Sequence, residues 1–181
     1  DLTDNSITAG ASQVDLSLVW NDSHPYISLL DNGHGMTKKE LFDAMRLGYL
    51  NPLCTRSGND LGRFGLGLKT ASLSQCRSLT VLSRRKGYEI SSLRWDLDYL
   101  SDEGNNDWTL LEEPGNEAAL LLPLLEKYDQ GTLVVWEKLD RIITPGFTVQ
   151  HFFDLTDTVE RHLALTFHRF LQTSHPALVL T

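Results

Sequence analysis

From Gln13 to Trp20 apolar and polar residues alternate, with Val14, Leu16, Leu18 and Trp20 on one side, the period of a half-buried strand. Pro25–Leu30 (PYISLL) is a second apolar run, and the intervening Asn21-Asp22 predicts a turn, so the pair reads as a hairpin. Further strands are expected over 78–84, 88–95, 108–112 and 131–139, the last (GTLVVWEKL) being the strongest. Helical signals lie between them. Residues 1–11 read as the end of a helix stopping at Gly10, a residue suited to a left-handed C-terminal cap. Thr37 with Glu40 forms a capping box for a helix through about Leu47. Leu66–Gln75 reads as a helix that starts inside a glycine cluster, and Glu117–Tyr128 as one that Pro123 kinks or bounds. Over 149–171, Val149, Phe152, Phe153, Val159, Leu163, Phe167 and Phe170 recur near helical spacing, predicting a long amphipathic helix.

Between these segments, residues 48–63 carry Gly48, Pro52, Ser57, Gly58, Asn59 and Gly62, the composition of a mobile loop. Residues 101–107 read as a surface turn. Strands and helices intermix without strict βαβ repetition. The expected class is therefore α+β: a mixed, mainly antiparallel sheet with helices stacked on one face, in one domain over 1–181. The chain shows no internal repeat and no low-complexity segment.

Composition narrows the function. Sixteen Lys and Arg against 24 Asp and Glu give a formal charge of −8. An acidic surface repels polyphosphate backbones, so nucleic-acid binding through this domain alone is not expected, though a small basic pocket for a nucleotide remains open. Cys54 and Cys76 have neither CxxC nor metal-ligand spacing and read as reduced thiols of a cytoplasmic protein. No apolar run approaches the roughly 20 residues of a membrane span. The chain opens on Asp-Leu-Thr-Asp-Asn without a signal peptide, as though part of the first helix lay upstream; a fragment of a longer protein is expected.

Three short blocks carry chemistry. In the first, Asp1 and Asn5 lie one helical turn apart on one face. A carboxylate there can polarise a water for attack on phosphate, and the amide oxygen can be a hard ligand for a nucleotide's Mg2+; a solvated polar face is the plainer alternative. The second, Asp31-Asn32-Gly33-His34-Gly35-Met36, follows an apolar strand. Its Asp can accept a hydrogen bond from an exocyclic amine such as adenine N6, and its glycines allow backbone to approach a flat ring. A tight turn with an acidic first residue would look the same, and His34 reads as an incidental solvent-facing side chain. The third runs Gly62-Arg63-Phe64-Gly65-Leu66-Gly67-Leu68-Lys69-Thr70. Glycines opening a helix expose free N–H groups to an anion, aided by the helix dipole. It is not a Walker A loop: Leu68 makes the spacing one residue too long, and the preceding Arg56–Asp60 is polar rather than an apolar strand. A GxGxxG dinucleotide fingerprint fails because Thr70 stands where glycine is needed.

In order and spacing the three blocks resemble the N-box, DxGxG and GxxGxG motifs of the GHKL ATPases, the superfamily of gyrase, heat-shock chaperone, histidine kinase and MutL nucleotide-binding domains. DNSITAGAS looks like the MutL branch, and GRFGLGLKTASLS like the MORC branch and its bacterial relatives. Gly131-Thr132-Leu-Val-Val-Trp136 is similar to the family's late Gly-Thr strand. The resemblance spans roughly 1–139 and implies the Bergerat fold, a two-layer α/β sandwich holding ATP beneath a lid, here about 48–62.

By that resemblance, Asp31 binds the adenine amine, with Thr132 supporting it partly through water. Gly33, Gly35 and Met36 line base and sugar, Asn5 holds Mg2+, and the backbone of Gly62, Gly65, Gly67 and Leu68, with the intervening Arg63, Phe64 and Leu66, cradles the phosphates. Lys69 is either a phosphate contact or a solvated lysine. Asp1 matches the family's catalytic Glu but is one methylene shorter, about 1 Å, a misplacement that can cost roughly a hundredfold in rate. Slow Mg-dependent hydrolysis is therefore expected from a nucleotide-driven conformational switch or dimerisation clamp, acting as a homodimer with client or downstream domains beyond residue 181. The alternatives are a non-hydrolysing ATP-binding regulatory module and a histidine-kinase catalytic domain; the AGA after the N-box and the GTLVVWEKLD strand suit the latter less.

Overall fold

The computed structural model describes residues 1–21, 24–46, 67–102, 109–168 and 179–180; for Gly67, Val179 and Leu180 only the backbone is described. Its helices are α1 (Leu2–Thr8), α2 (Lys38–Met45), α3 (Gly67–Leu73), α4 (Leu97–Ser101), α5 (Asn116–Glu126) and α6 (Val149–Thr166). Its strands are β1 (Val14–Val19), β2 (Tyr26–Asp31), β3 (Ser78–Arg84), β4 (Ser91–Asp96), β5 (Gly131–Glu137) and β6 (Val179–Leu180). The sheet runs β4-β3-β5-β2-β1-β6. The first five strands pair antiparallel, and the two-residue β6 lies parallel to β1 at the edge. The α+β expectation and the β1–β2 hairpin both hold.

Partners in an antiparallel ladder share a face, so the pairings define rows across the sheet. Leu16, Leu29, Val134, Val81 and Leu93 form one such row. This apolar face is covered by Leu41 and Met45 of α2, both fully buried, and by Leu163 of α6 with Phe167 at its C-cap. Burying side chains of this size contributes about 1.5–3 kcal/mol each. Leu2 of α1 and Leu68 and Leu73 of α3 pack at its margins. The opposite row of Leu30, Leu133 and Leu82 packs against Ala118 and Leu125 of α5. Most helices thus stack on one face as expected, with α5 added on the other.

Local chemistry sets the helix ends. Gly10 lies at φ +71°, and the bonds Gly10 N–H to Ile7 O (2.9 Å) and Ala11 N–H to Ser6 O (3.0 Å) close α1 in a Schellman motif. The α2 capping box is present: Thr37 Oγ1 accepts from Glu40 N (3.3 Å), and Glu40 Oε2 accepts from Thr37 N (2.8 Å). Gly115 cannot cap α5 with a side chain, and buried Glu137 of β5 does so instead, accepting from Glu117 N at 2.9 Å. Burial pushes the Glu137 carboxyl up.

Several boundaries differ from the sequence reading. The strand expected from 88 begins at Ser91, because Arg85 O accepts from Tyr88 N in a turn (2.9 Å). Of the strand expected over 108–112, the described residues 109–112 form one bridge, Leu111 to Arg94. Asp96 caps an unexpected short helix, α4, accepting from Asp98 N and Tyr99 N. On α6, Phe152, Leu163 and Phe167 are buried, whereas Val149 and Phe153 face solvent. No helix among the described residues is long and apolar enough to cross a membrane.

Candidate functional site

Two residues along from the apolar row, on the same face, the row reads Val14, Asp31, Thr132, Ser83 and Ser91. The face that carries the core thus turns polar at one end, where β2, β5 and β3 each contribute one oxygen-bearing side chain. Asp31 is 5% exposed. Its Oδ2 accepts from Ser6 Oγ of α1 (2.9 Å) and its Oδ1 from the Gly33 amide (2.9 Å). Burial raises its pKa above the ordinary value of 3.8, while Gly33, Ser6 and the Thr132 backbone, which stabilise the ionised form, oppose the rise. A carboxylate offers about four lone-pair sites, so after these donors it retains room for one more.

The loop after Asp31 is tied down from both sides. Asn32 Oδ1 accepts from the amides of Ser12 (2.8 Å) and Gln13 (2.9 Å), and the His34 amide donates to Ala9 O (2.9 Å). Gly35 lies at φ +61°, and a Cβ there would overlap the Arg84 carbonyl oxygen, so only glycine lets the loop pass this close to β3. The next amide, Met36, donates to Ser83 Oγ (2.8 Å). Ser83 Oγ also lies 2.9 Å from Thr132 Oγ1 and donates toward Gly131 O at 3.1 Å. A chain of hydroxyls thus links the glycine loop to the strand bearing Thr132. His34 is exposed, as expected, its Nδ1 2.7 Å from Gly35 O.

Sequence reasoning placed Asp31, Gly33, Gly35, Met36 and Thr132 together, and the structure brings them together. It did not find Ser6, Asn32 or Ser83. Ser6 follows Asn5 directly, and Ser83 stands two residues from Val81 on the same side of β3, so each left a faint mark in the chain.

Asp1 and Asn5 lie one turn apart on α1, Asn5 N donating to Asp1 O at 3.0 Å, with both side chains exposed. Asp1 stands at the N-cap position without a side-chain capping bond. The hard amide oxygen of Asn5 is of a kind that suits Mg2+, and a carboxylate one turn away is of a kind that can polarise a water. Gly62, Arg63, Phe64, Gly65 and Leu66, and the expected lid over 48–62, lie outside the described residues, as does Cys54. The backbone of Gly67 opens α3, with Leu68 half-buried behind it.

Lys69 requires a correction: it is not a solvated lysine. It is 2% exposed, and its Nζ donates to Ala44 O (2.8 Å) and Arg46 O (2.6 Å) at the C-terminal end of α2. Burial holds the ammonium below the ordinary lysine range. The family resemblance implied a phosphate contact or a solvated lysine, and a motif cannot show that Lys69 reaches the end of α2.

A cleft of about 250 Å3 opens on the α5 side, lined by Ser78, Arg94, Gly115 and Glu137 among others. Its lining shares no residue with the Asp31 row, and a void alone supplies no chemistry.

A family model described as histidine kinase-, DNA gyrase B- and HSP90-like ATPase matches residues 1–132, which include Asn5, the Asp31 loop, the Gly62–Gly67 block and Thr132. Two Arabidopsis thaliana proteins, Protein MICRORCHIDIA 4 and Protein MICRORCHIDIA 7, are each 28% identical over 131 residues. The match covers 70% of this chain but only 15% and 17% of those proteins, so the chain spans a small part of their length. Membership of such a family supports ATP binding. The chain belongs to the histidine kinase-, DNA gyrase B- and HSP90-like ATPases.

Proposed function

We propose that this domain binds ATP with Mg2+, hydrolyses it slowly, and serves as a nucleotide-driven switch or dimerisation clamp within a larger cytoplasmic protein. The observation that carries this reading is the buried Asp31 carboxylate, supported by Ser6 and Gly33 at the polar end of the sheet face. With Ser6, Gly33 and the Thr132 backbone donating, it keeps room for one further donor. An exocyclic amine supplies that donor, and adenine presents one where guanine presents an acceptor.

In this reading Thr132 supports the base edge, partly through water, while Gly33, Gly35 and Met36 line base and sugar. The backbone amides of Gly62 to Leu68 grip the phosphates, and Asn5 Oδ1 holds Mg2+. The ion, when bound, offsets phosphate charge. Asp1 takes a proton from the attacking water as the water oxygen bonds to the γ-phosphorus, and the bond to the bridging oxygen breaks to leave ADP. The shorter reach of Asp1, compared with the family's Glu, limits the rate. Pairing of two copies and contacts with clients or downstream domains would transmit the nucleotide state.

A second reading is a non-hydrolysing ATP module, favoured by Asp1, one methylene shorter, standing in place of the family's Glu. Calorimetry with Mg2+ tests the shared part: ATP should bind and GTP should bind far more weakly, and equal affinities would remove the adenine assignment. Phosphate release separates the two readings. Turnover above an Asn5→Ala control supports the ATPase, and turnover no greater than that control supports the silent module.

A further inference from the structure

We propose that Lys69 is a positioning residue, whose ammonium latches the C-terminal end of α2 to the first turn of α3 and so sets the Gly67–Leu68 backbone for phosphate. The inference rests on the nucleotide reading above. Lysine is almost never fully buried unless paired, yet Lys69 is 2% exposed and forms no ion pair among the described residues. Its partners are two carbonyl oxygens, those of Ala44 and Arg46.

The location explains why two carbonyls suffice. The last carbonyls of a helix lack intrahelical donors and carry the negative end of the dipole. α2 ends at Met45, and Arg46 turns extended at ψ 137°, which ends the helical hydrogen bonding there. Trp95 Nε1 donates to the carbonyl between them, that of Met45, at 2.9 Å. Three successive carbonyls are thus each taken by a side chain from another element. Burial holds the Lys69 ammonium below its ordinary range, and the carbonyl pair offsets that cost. Lys69 stands two residues after Gly67, within the same helical turn. Fixing its tip therefore fixes the turn whose amides face the expected phosphate position. The latch joins the two segments bordering residues 47–66, and its own parts are all described.

The test is calorimetry of adenosine and of Mg-ADP on the wild type, Lys69→Met, Lys69→Arg and Trp95→Phe. Lys69→Met should weaken Mg-ADP about tenfold or more, the worth of a charge-assisted hydrogen bond, and leave adenosine unchanged. A residue that only stabilises the fold would not move that ratio. Trp95→Phe, which frees the Met45 carbonyl between the two that Lys69 holds without touching Lys69, should shift the ratio the same way to a smaller extent. Lys69→Arg should stay weak, because a planar fork cannot serve two carbonyls from one point. Mg-ADP binding unaltered in Lys69→Met overturns the proposal. So does full recovery by Lys69→Arg with Trp95→Phe inert, which would mark a direct phosphate ligand. If Lys69→Met does not fold, the Arg and Phe variants decide by the same criteria. A wild type that binds neither ligand defeats the nucleotide reading itself, a result distinct from an unchanged ratio.

Discussion

Replacing Asp31 by Asn separates what the carboxylate does for the ligand from what it costs the fold. The side chains are nearly isosteric. Asn can accept from the Gly33 amide through its oxygen and give an N–H to Ser6 Oγ, which has Leu2 O 3.4 Å away as a second acceptor for its own proton. The neighbours thus keep partners, and the main change is the loss of a buried negative charge. A hydrogen bond to a charged group contributes about 1.5–3 kcal/mol, so ATP affinity should fall about ten- to a hundredfold. Stability should move the other way. The folded-state pKa of Asp31 lies above the unfolded value of 3.8. In the window between them the folded state holds more protons, so stability falls as pH rises through that window and levels off once the folded carboxyl is ionised. The Asn variant lacks this loss and should gain on the wild type between pH 4 and pH 7. Urea unfolding at both values, with calorimetry at pH 7, measures both effects. Unaltered ATP affinity, or a stability difference that shrinks as pH rises, would refute the reasoning.

Gly35→Ala meets both a positive φ and the Arg84 carbonyl and should cost about 2 kcal/mol or more in urea unfolding, beyond the ordinary Gly-to-Ala effect. Thr37→Ala removes one half of the α2 capping box and should lower unfolding free energy by about 1 kcal/mol. The buried Cys76 thiol is pushed up to about 12 by burial, so at pH 8 it should resist iodoacetamide in the folded protein and react after denaturation. Peptide-resolved mass spectrometry checks this, and rapid native alkylation at Cys76 would contradict it.

What was legible in the chain follows from how local each signal is. The limits of β3, the capping box of Thr37 and Glu40, and the left-handed Gly10 all rest on neighbours within a few residues, and all appear in the fold. Asp31, Gly33, Gly35 and Met36 are likewise one short motif. Ser6 reaches Asp31 across 25 positions, Met36 reaches Ser83 across 47, and Lys69 reaches Ala44 across 25. Such partners depend on tertiary packing, which periodicity does not encode. The sequence marked residues 117–128 as a helix but could not say that it would pack on the opposite face of the sheet. It also counted Val149 and Phe153 as core, although the start of α6 leaves both in solvent.

The alignment of Asp31, Thr132 and Ser83 comes from three strands pairing in one particular register. Because side chains alternate between faces, a slip of a single residue by any of these strands would turn its member of the set to the far surface. On the proposed adenine reading, ligand affinity is thereby a gauge of sheet assembly: a misaligned species with its secondary structure intact would still be blind to nucleotide. Nucleotide added during refolding should accordingly enrich the correctly paired sheet over its slipped competitors.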